Sequence, residues 1–230
     1  PWYIMLWEIL PNARGPLIVD ACLRHKCRLI HISTVDTLPT ARAQAQPIDE
    51  SGEGGVPNVP CAYVVSKTEA EQLVREACSQ RGLDAVILNP GFMLGPYDWK
   101  PSSGRMFLQV VKASAIAAPW GGCSLCDARH VAKACVDAIE LGESGQSYIL
   151  AGENISYLEL WKRMLRIADR PKHVFRLRKR ITWIGAAIDC FHRWLPFPEG
   201  DVNGATIGMG ILNHYYDSSK AHRALGYNPQ

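Results

Sequence analysis

Residues 63–95 read YVVSKTEAEQLVREACSQRGLDAVILNPGFMLG, and a change of period inside that run decides the fold. From Tyr63 to about Gln80, Ala70, Leu73, Val74 and Ala77 recur at helical spacing, and Gly82 supplies a stop. Asp84–Leu88 (DAVIL) is then short and almost wholly apolar, the composition of a strand buried on both faces of a parallel sheet. Asn89–Gly104 is dense in proline and glycine and reads as loop. Upstream, Leu17–Leu23 reads as helix continuing to His25, and Arg28–Ile32 (RLIHI) reads as strand. Strand, helix and strand in this order make a βαβ unit, which places the chain in the α/β class with helices on both faces of a parallel sheet.

Working outward, Pro39–Pro60 has no sustained period and reads as a long surface loop of the kind that carries function. Past Gly104 the character changes. Arg105–Ala118 and Ala128–Leu141 read as helices and Tyr148–Ala151 as a short strand. Ser156–Ala168 reads as a helix whose Ser156 and Glu159 form a capping box. Ile181–Leu195 is an amphipathic helix bearing tryptophan, and Ser218–Leu225 is a last helix closed by Gly226.

Bulk composition excludes several functions. The 230 residues are 47% hydrophobic and 20% charged, which is ordinary for a globular protein. A net charge of +3 is too small to point to nucleic acid. Basic residues thicken between Lys162 and Arg180; a solvated helix face is the plain reading, and an acidic or membrane-surface partner is the alternative. The eight cysteines are scattered, with Cys22, Cys27, Cys78, Cys135 and Cys190 in apolar runs. Cys123 and Cys126 form a lone CxxC, so no metal is expected and reduced thiols in a cytoplasmic protein are. No stretch is long and apolar enough to span a membrane. Ile181–Leu195 leaves peripheral contact with a membrane surface open, with packing on the core as the commoner fate. Pro1–Leu6 is apolar but lacks a basic leader, so it is read as the middle of something and not as a signal peptide.

Tyr63 and Lys67 form Y-x-x-x-K. On a helix, residues i and i+4 share a face. A phenol titrates near about 10, too high for acid/base work at neutral pH. A lysine ammonium beside it favours the phenolate, and the same lysine can donate to ribose hydroxyls. Upstream, Ser33 and Thr34 follow the strand RLIHI, at the sheet end where α/β folds place ligands. A hydroxyl there can hold a substrate oxygen while Tyr63 moves the proton. Downstream, Asn89-Pro90-Gly91 follows DAVIL, and such residues let backbone approach a flat ring.

These runs, HIST, YVVSKTEAEQL and LNPGFMLGP, resemble the extended or atypical short-chain dehydrogenase/reductases of the NAD-dependent epimerase/dehydratase family. Residues 89–106 and 148–154 are similar to dihydroflavonol 4-reductase-like and hopanoid-associated sugar epimerase-like members. Asn12-Ala13-Arg14-Gly15 resembles the family's N-x-x-G-T helix segment, with Pro16 in place of the threonine and Pro11 ahead of the asparagine. The resemblance implies a partial Rossmann-type parallel sheet, residues 1–104 as the later portion of a dinucleotide-binding domain, and residues 105–230 as a smaller mixed substrate region interleaved with it. It implies Tyr63 as general acid/base, Lys67 as its modulator and ribose ligand, Thr34 as the hydroxyl partner with Ser33 beside it, and Asn12 as a supporting member. Pro90, Gly91, Phe92 and Met93 would touch the nicotinamide of NAD or NADP.

The glycine-rich G-x-x-G-x-x-G turn of the family is absent, and Gly52–Gly55 (GEGG) does not stand between a strand and a helix. The expectation is a fragment, or a product lacking its front, with an exposed sheet edge. The expected activity is NAD(P)-dependent reduction of a carbonyl or oxidation of a secondary alcohol on a small-molecule substrate, dihydroflavonol 4-reductase-like. Alternatives are a nucleotide-sugar epimerase or dehydratase, a 3β-hydroxysteroid dehydrogenase-like enzyme, and a non-catalytic or truncated relative. A homodimer through the helices flanking Y-x-x-x-K is expected by resemblance.

Overall fold

Alternating helical and strand periods dictate the order of elements. In the computed structural model, which describes residues 10–42, 46–98, 103–113, 116–177 and 208–229, the first elements are α1 (Leu10–His25), β1 (Leu29–Ile32), α2 (Ala62–Arg81), β2 (Ala85–Pro90) and β3 (Phe92–Leu94). Next come α3 (Ser103–Lys112), β4 (Ile116–Ala118), β5 (Gly122–Asp127), α4 (Ala128–Leu141), β6 (Ser147–Leu150) and β7 (Glu153–Ser156). The last are α5 (Tyr157–Ile167), β8 (Val174–Arg176), β9 (Asn213–His214) and α6 (Ser219–Leu225). The amphipathic run 181–195 lies outside the described residues.

β1, β2 and β6 form a parallel sheet in the order β1–β2–β6. Every β2 residue is buried, because successive side chains enter two different cores. Val86 and Leu88 pack with Val131, Ala134 and Ala138 of α4 and with Leu225 of α6. Ala85 and Ile87 pack with Val19 of α1 and with Val74 and Ala77 of α2. This is the Rossmann-type layering the sequence implies. Among the described residues the outer edge of β1 has no strand partner.

A second sheet is built on β5. β3 and β9 run parallel to it and β7 antiparallel. β4 and β8 form a separate parallel pair. The chain crosses between the first two sheets at Gly91 and again at Gly152, and both glycines lie against the β5 backbone. A Cβ on Gly91 would sit 2.5 Å from the Ser124 carbonyl oxygen, and one on Gly152 would collide with the Leu125 carbonyl oxygen.

Several expectations are corrected. α1 begins at Leu10 and passes through Pro11 and Pro16. Pro11 sits in the first turn, where no N–H bond is required, and Pro16 costs the helix one hydrogen bond. β2 continues through Asn89-Pro90, and Phe92–Leu94 is a strand where a loop was expected. The helix expected over 105–118 stops at Lys112, and Ile116–Ala118 pairs with β8. β5 and β7 were not anticipated. These strands have three to six residues, and their partners are distant in sequence, so local periodicity carries little of their signal. Segment 39–60 is only partly surface: Ala41 and Ile48 join Ile149 and Tyr216 in a core cluster. The Glu50 carboxylate accepts the Ile149 N–H at 2.8 Å and so covers the free edge of β6.

Where a strong local signal exists, the structure follows it. α2 and α4 have the expected extents, and Ser156 Oγ accepts the Glu159 N–H at 3.2 Å. Gly82 and Gly226, at φ +68° and +65°, close α2 and α6. Among the described residues no helix is long and apolar enough to cross a membrane, and no three His, Cys, Asp or Glu side chains gather as a metal site. Cys123 and Cys126 are unpaired on β5, and burial pushes both thiols up to about 12.

Candidate active site

The carboxyl ends of β1 and β2 lie side by side, which brings Ser33-Thr34 next to Asn89–Met93. α2 begins at Ala62, so Tyr63 falls in its first turn. Ser33, Thr34, Tyr63, Pro90, Gly91, Phe92 and Met93 all line one cavity of about 720 Å³. Its polar end also holds Asp36, Ser124 and His214. Its wall is largely apolar, including Met106, Tyr157, Trp161 and Ile211. Lys67 lies one turn further along α2, half-buried and outside that lining; burial lowers the pKa of His31, and the Lys67 charge adds to that lowering. Asn12 lies on α1, and its side chain is outside the described residues.

Tyr63 is 50% exposed. Burial of its inner half pushes the phenol pKa up; a hydrogen bond with Thr34 pulls it down by less, and the Asp36 charge adds to the rise. The net direction is upward. A phenol in this state is a proton donor at neutral pH.

Sequence reasoning missed Glu71, which is 6% exposed under this site. Its Oε2 accepts from Ser33 Oγ at 2.6 Å, Thr37 Oγ1 at 2.9 Å and Asn89 Nδ2 at 2.9 Å. Its Oε1 accepts from Arg75 at 2.7 Å, and Arg75 also donates to Ser147 Oγ at 3.0 Å. One carboxylate thus ties α2 to the ends of β1 and β2, fixing Tyr63 relative to Thr34. The available signal was a glutamate on the inward face of α2, two turns after Tyr63. Burial raises the Glu71 pKa, but the bonds from Ser33, Arg75 and Asn89 outweigh it, and the group ends below its usual value.

Asp36 and His214 were missed as well. Thr34 Oγ1 donates to Asp36 Oδ2 at 3.2 Å and accepts the Asp36 N–H at 3.3 Å, a local turn that Thr-x-Asp spacing permits. His214 Nδ1 stands 3.4 Å from Asp36 Oδ1. No local signal marks His214, which reaches the site through β9 pairing with Cys123 on β5.

The lining residues fit the nicotinamide end of a dinucleotide, with an apolar shelf at Phe92 and Met93 beside the Tyr63 and Thr34 hydroxyls. Among the described residues no strand–glycine turn–helix offers a pyrophosphate site. Gly52 and Gly54 have left-handed φ but belong to a turn followed by extended chain.

Residues 11–151 match the profile of the NAD dependent epimerase/dehydratase family. A putative dihydroflavonol 4-reductase of Synechocystis sp. is 31% identical over 224 residues, covering 94% of this chain and 64% of that protein. The crystal structure of gox2253 is 28% identical, with TM-score 0.77, covering 94% of this chain and 66% of that one. A nucleoside-diphosphate-sugar epimerase of Pseudomonas aeruginosa has the same fold at TM-score 0.72 and 23% identity, covering 92% of this chain and 65% of that one. The chain therefore spans slightly less than two thirds of the length of each of these three relatives.

Proposed function

The chain belongs to the NAD dependent epimerase/dehydratase family, and from that premise we propose that it carries the proton-transfer and substrate end of an NAD(P)-dependent oxidoreductase acting on a carbonyl or secondary alcohol. The observation that carries this reading is the convergence of Thr34, Tyr63 and Pro90–Met93 on one cavity. When bound, the nicotinamide supplies or accepts the hydride. Tyr63, a protonated phenol at neutral pH, gives its proton to the carbonyl oxygen as negative charge develops there, and recovers it in the reverse direction. Thr34 lines the same cavity, and its hydroxyl lowers the phenol pKa against the effect of burial. Ser33, clamped by Glu71, keeps the strand end in place. Lys67, one turn beyond Tyr63, is assigned to the ribose.

A dihydroflavonol reductase-like activity is preferred over a nucleotide-sugar epimerase, which runs the same two transfers forward and back. Among the described lining residues there is no lysine or arginine to meet a diphosphate, and the acidic Asp36 stands among them. A neutral, largely apolar carbonyl compound suits that wall.

The test has two parts. The chain is titrated with NADH and with NADPH by nicotinamide fluorescence. Turnover of a dihydroflavonol is then measured in the full protein that carries this chain. Tyr63→Phe is expected to lower kcat by at least about a hundredfold with little change in KM. Undiminished turnover would remove Tyr63 from the chemistry, and tighter binding of a nucleoside-diphosphate sugar than of a dihydroflavonol would reverse the substrate preference.

A further inference from the structure

Behind Thr34 the cavity ends in a pair of groups that the hydride and proton steps leave unused. His214 is buried at 5% exposure, and its Nε2 faces the Met209 carbonyl oxygen at 3.2 Å. A carbonyl oxygen only accepts, so Nε2 must carry a hydrogen. A neutral His214 would then present the bare lone pair of Nδ1 to Asp36 Oδ1, 3.4 Å away, and Nδ1 has no other partner. Lone pair against carboxylate in a largely buried site is repulsive. The contact becomes favourable when one further proton is present, on Nδ1 as an imidazolium or on Asp36 as a carboxylic acid. The other titratable groups facing the pair are the phenols of Tyr63, Tyr157 and Tyr216 and the Cys123 thiol. Burial raises all four, so at neutral pH they bear no charge that would remove this need.

We propose that Asp36 and His214 hold one shared proton and feed it through Thr34 to Tyr63, a proton store behind the reacting phenol. The proposal rests on the Tyr63 acid/base reading. Once Tyr63 has given its proton to the substrate oxygen, it is a phenolate. The shared proton, carried on the carboxyl oxygen that faces His214, is turned to the Thr34 side by a half-rotation of the Asp36 carboxyl about Cβ–Cγ; Thr34 Oγ1 then passes its hydrogen to the Tyr63 oxygen as that carboxyl proton passes to Thr34 Oγ1. Two O–H bonds break, at Asp36 and Thr34, and two form, at Thr34 and Tyr63. The negative charge moves from the phenolate to the Asp36 carboxylate, beside a neutral His214, and the pair takes up a proton from solvent between turnovers. The store matters when the cavity is filled, because substrate then covers the exposed half of the Tyr63 ring.

The chain itself permits a direct test. Nitrogen-15 NMR of the histidines, with the His214 signal identified by its loss in His214→Gln, is combined with carbon-13 NMR of the aspartate carboxyls at pH 7.5. Either a doubly protonated His214 or a protonated Asp36 supports the store. A neutral His214 together with an ionised Asp36 overturns it. This measurement decides whether the pair holds its proton independently of any substrate.

The delivery step is read in the full protein with NADPH and a dihydroflavonol. In Asp36→Asn the steady-state rate should fall on the order of tenfold relative to that variant's own first turnover. His214→Gln, which can still donate to the Met209 carbonyl, should do the same and covers the case of an unfolded Asp36→Asn. Steady-state rates equal to each variant's own first turnover, with Tyr63→Phe inactive, overturn the delivery step alone. An active Tyr63→Phe overturns the acid/base reading and the delivery with it.

Discussion

The two main sheets of this protein are held together by different means. The β1–β2–β6 sheet is a side-chain structure: Val86 and Leu88 fill one core and Ala85 and Ile87 another, and a buried carboxylate ties its strand ends to α2. The sheet built on β5 is more nearly a backbone structure. Gly91 and Gly152 run against the β5 carbonyls with no room for a Cβ, and Ser124 Oγ accepts the Tyr216 N–H at 2.9 Å and donates to the His214 carbonyl at 3.1 Å. The difference separates two tasks. The first sheet fixes the hydroxyls and the phenol in mutual register. The second brings distant segments, His214 among them, to the cavity.

The sharpest way to break this comparison is Gly152→Ala. The added Cβ collides with the Leu125 carbonyl, which belongs to backbone and cannot swing aside. A loss of about 3 kcal/mol in denaturant unfolding is expected. Wild-type stability would mean that β5 and the 151–152 crossing have slack, and that close backbone approach does not hold the second sheet.

Glu71→Ala probes the first sheet and should cost somewhat less, about 2 kcal/mol, because Arg75 is partly exposed and can find water. Ser33, Thr37 and Asn89 would keep their hydrogens without the common acceptor. Activity should fall further than stability accounts for, since Thr34 and Tyr63 lose their common anchor. A variant with normal kcat at permissive temperature would show that strand packing alone positions the site.

The same contrast explains what the sequence could disclose. Tyr63, Lys67, Ser33, Thr34 and the Pro90–Met93 run are each adjacent to a strongly periodic segment, so local pattern finds them, and six of these positions line one cavity with Tyr63. The β1–β2 unit and its helices are legible for the same reason. β3, β5 and β7 are short, and β5, reading GCSLCD, is poor in strand-forming residues; its stability comes in part from neighbours more than ninety positions away. Asp36 and His214 fall with that part of the fold, since only tertiary pairing places them together. Glu71 lies between these cases. Its helix face is readable, but only the folded strand ends supply the donors that make a buried carboxylate tolerable.

The smallest expected effect is a change in stability that shows only in acid. Glu71 titrates below its ordinary value in the fold because Ser33, Arg75 and Asn89 together outweigh the cost of burying it. A carboxylate depressed in this way contributes stability that is fully present above its unfolded pKa of about 4.5 and is lost as pH falls through the lower folded value. Asp84 and Asp127 are also depressed, by Arg28 and Arg129, so the whole chain should weaken in acid and the wild-type curve alone cannot isolate Glu71. The difference between wild type and Glu71→Gln can. Glutamine keeps the volume and one acceptor but does not titrate. The stability gap between the two proteins should be constant from pH 7 to about 5 and narrow below about 4.5 as the wild-type carboxylate takes up its proton. A wild-type stability that instead rises relative to Glu71→Gln as pH falls from 7 to about 5 would mean that Glu71 is already protonated at neutral pH. The site beneath Tyr63 would then be held by a neutral acid, and the arrangement around Ser33 and Asn89 would have to be redrawn with one more donor.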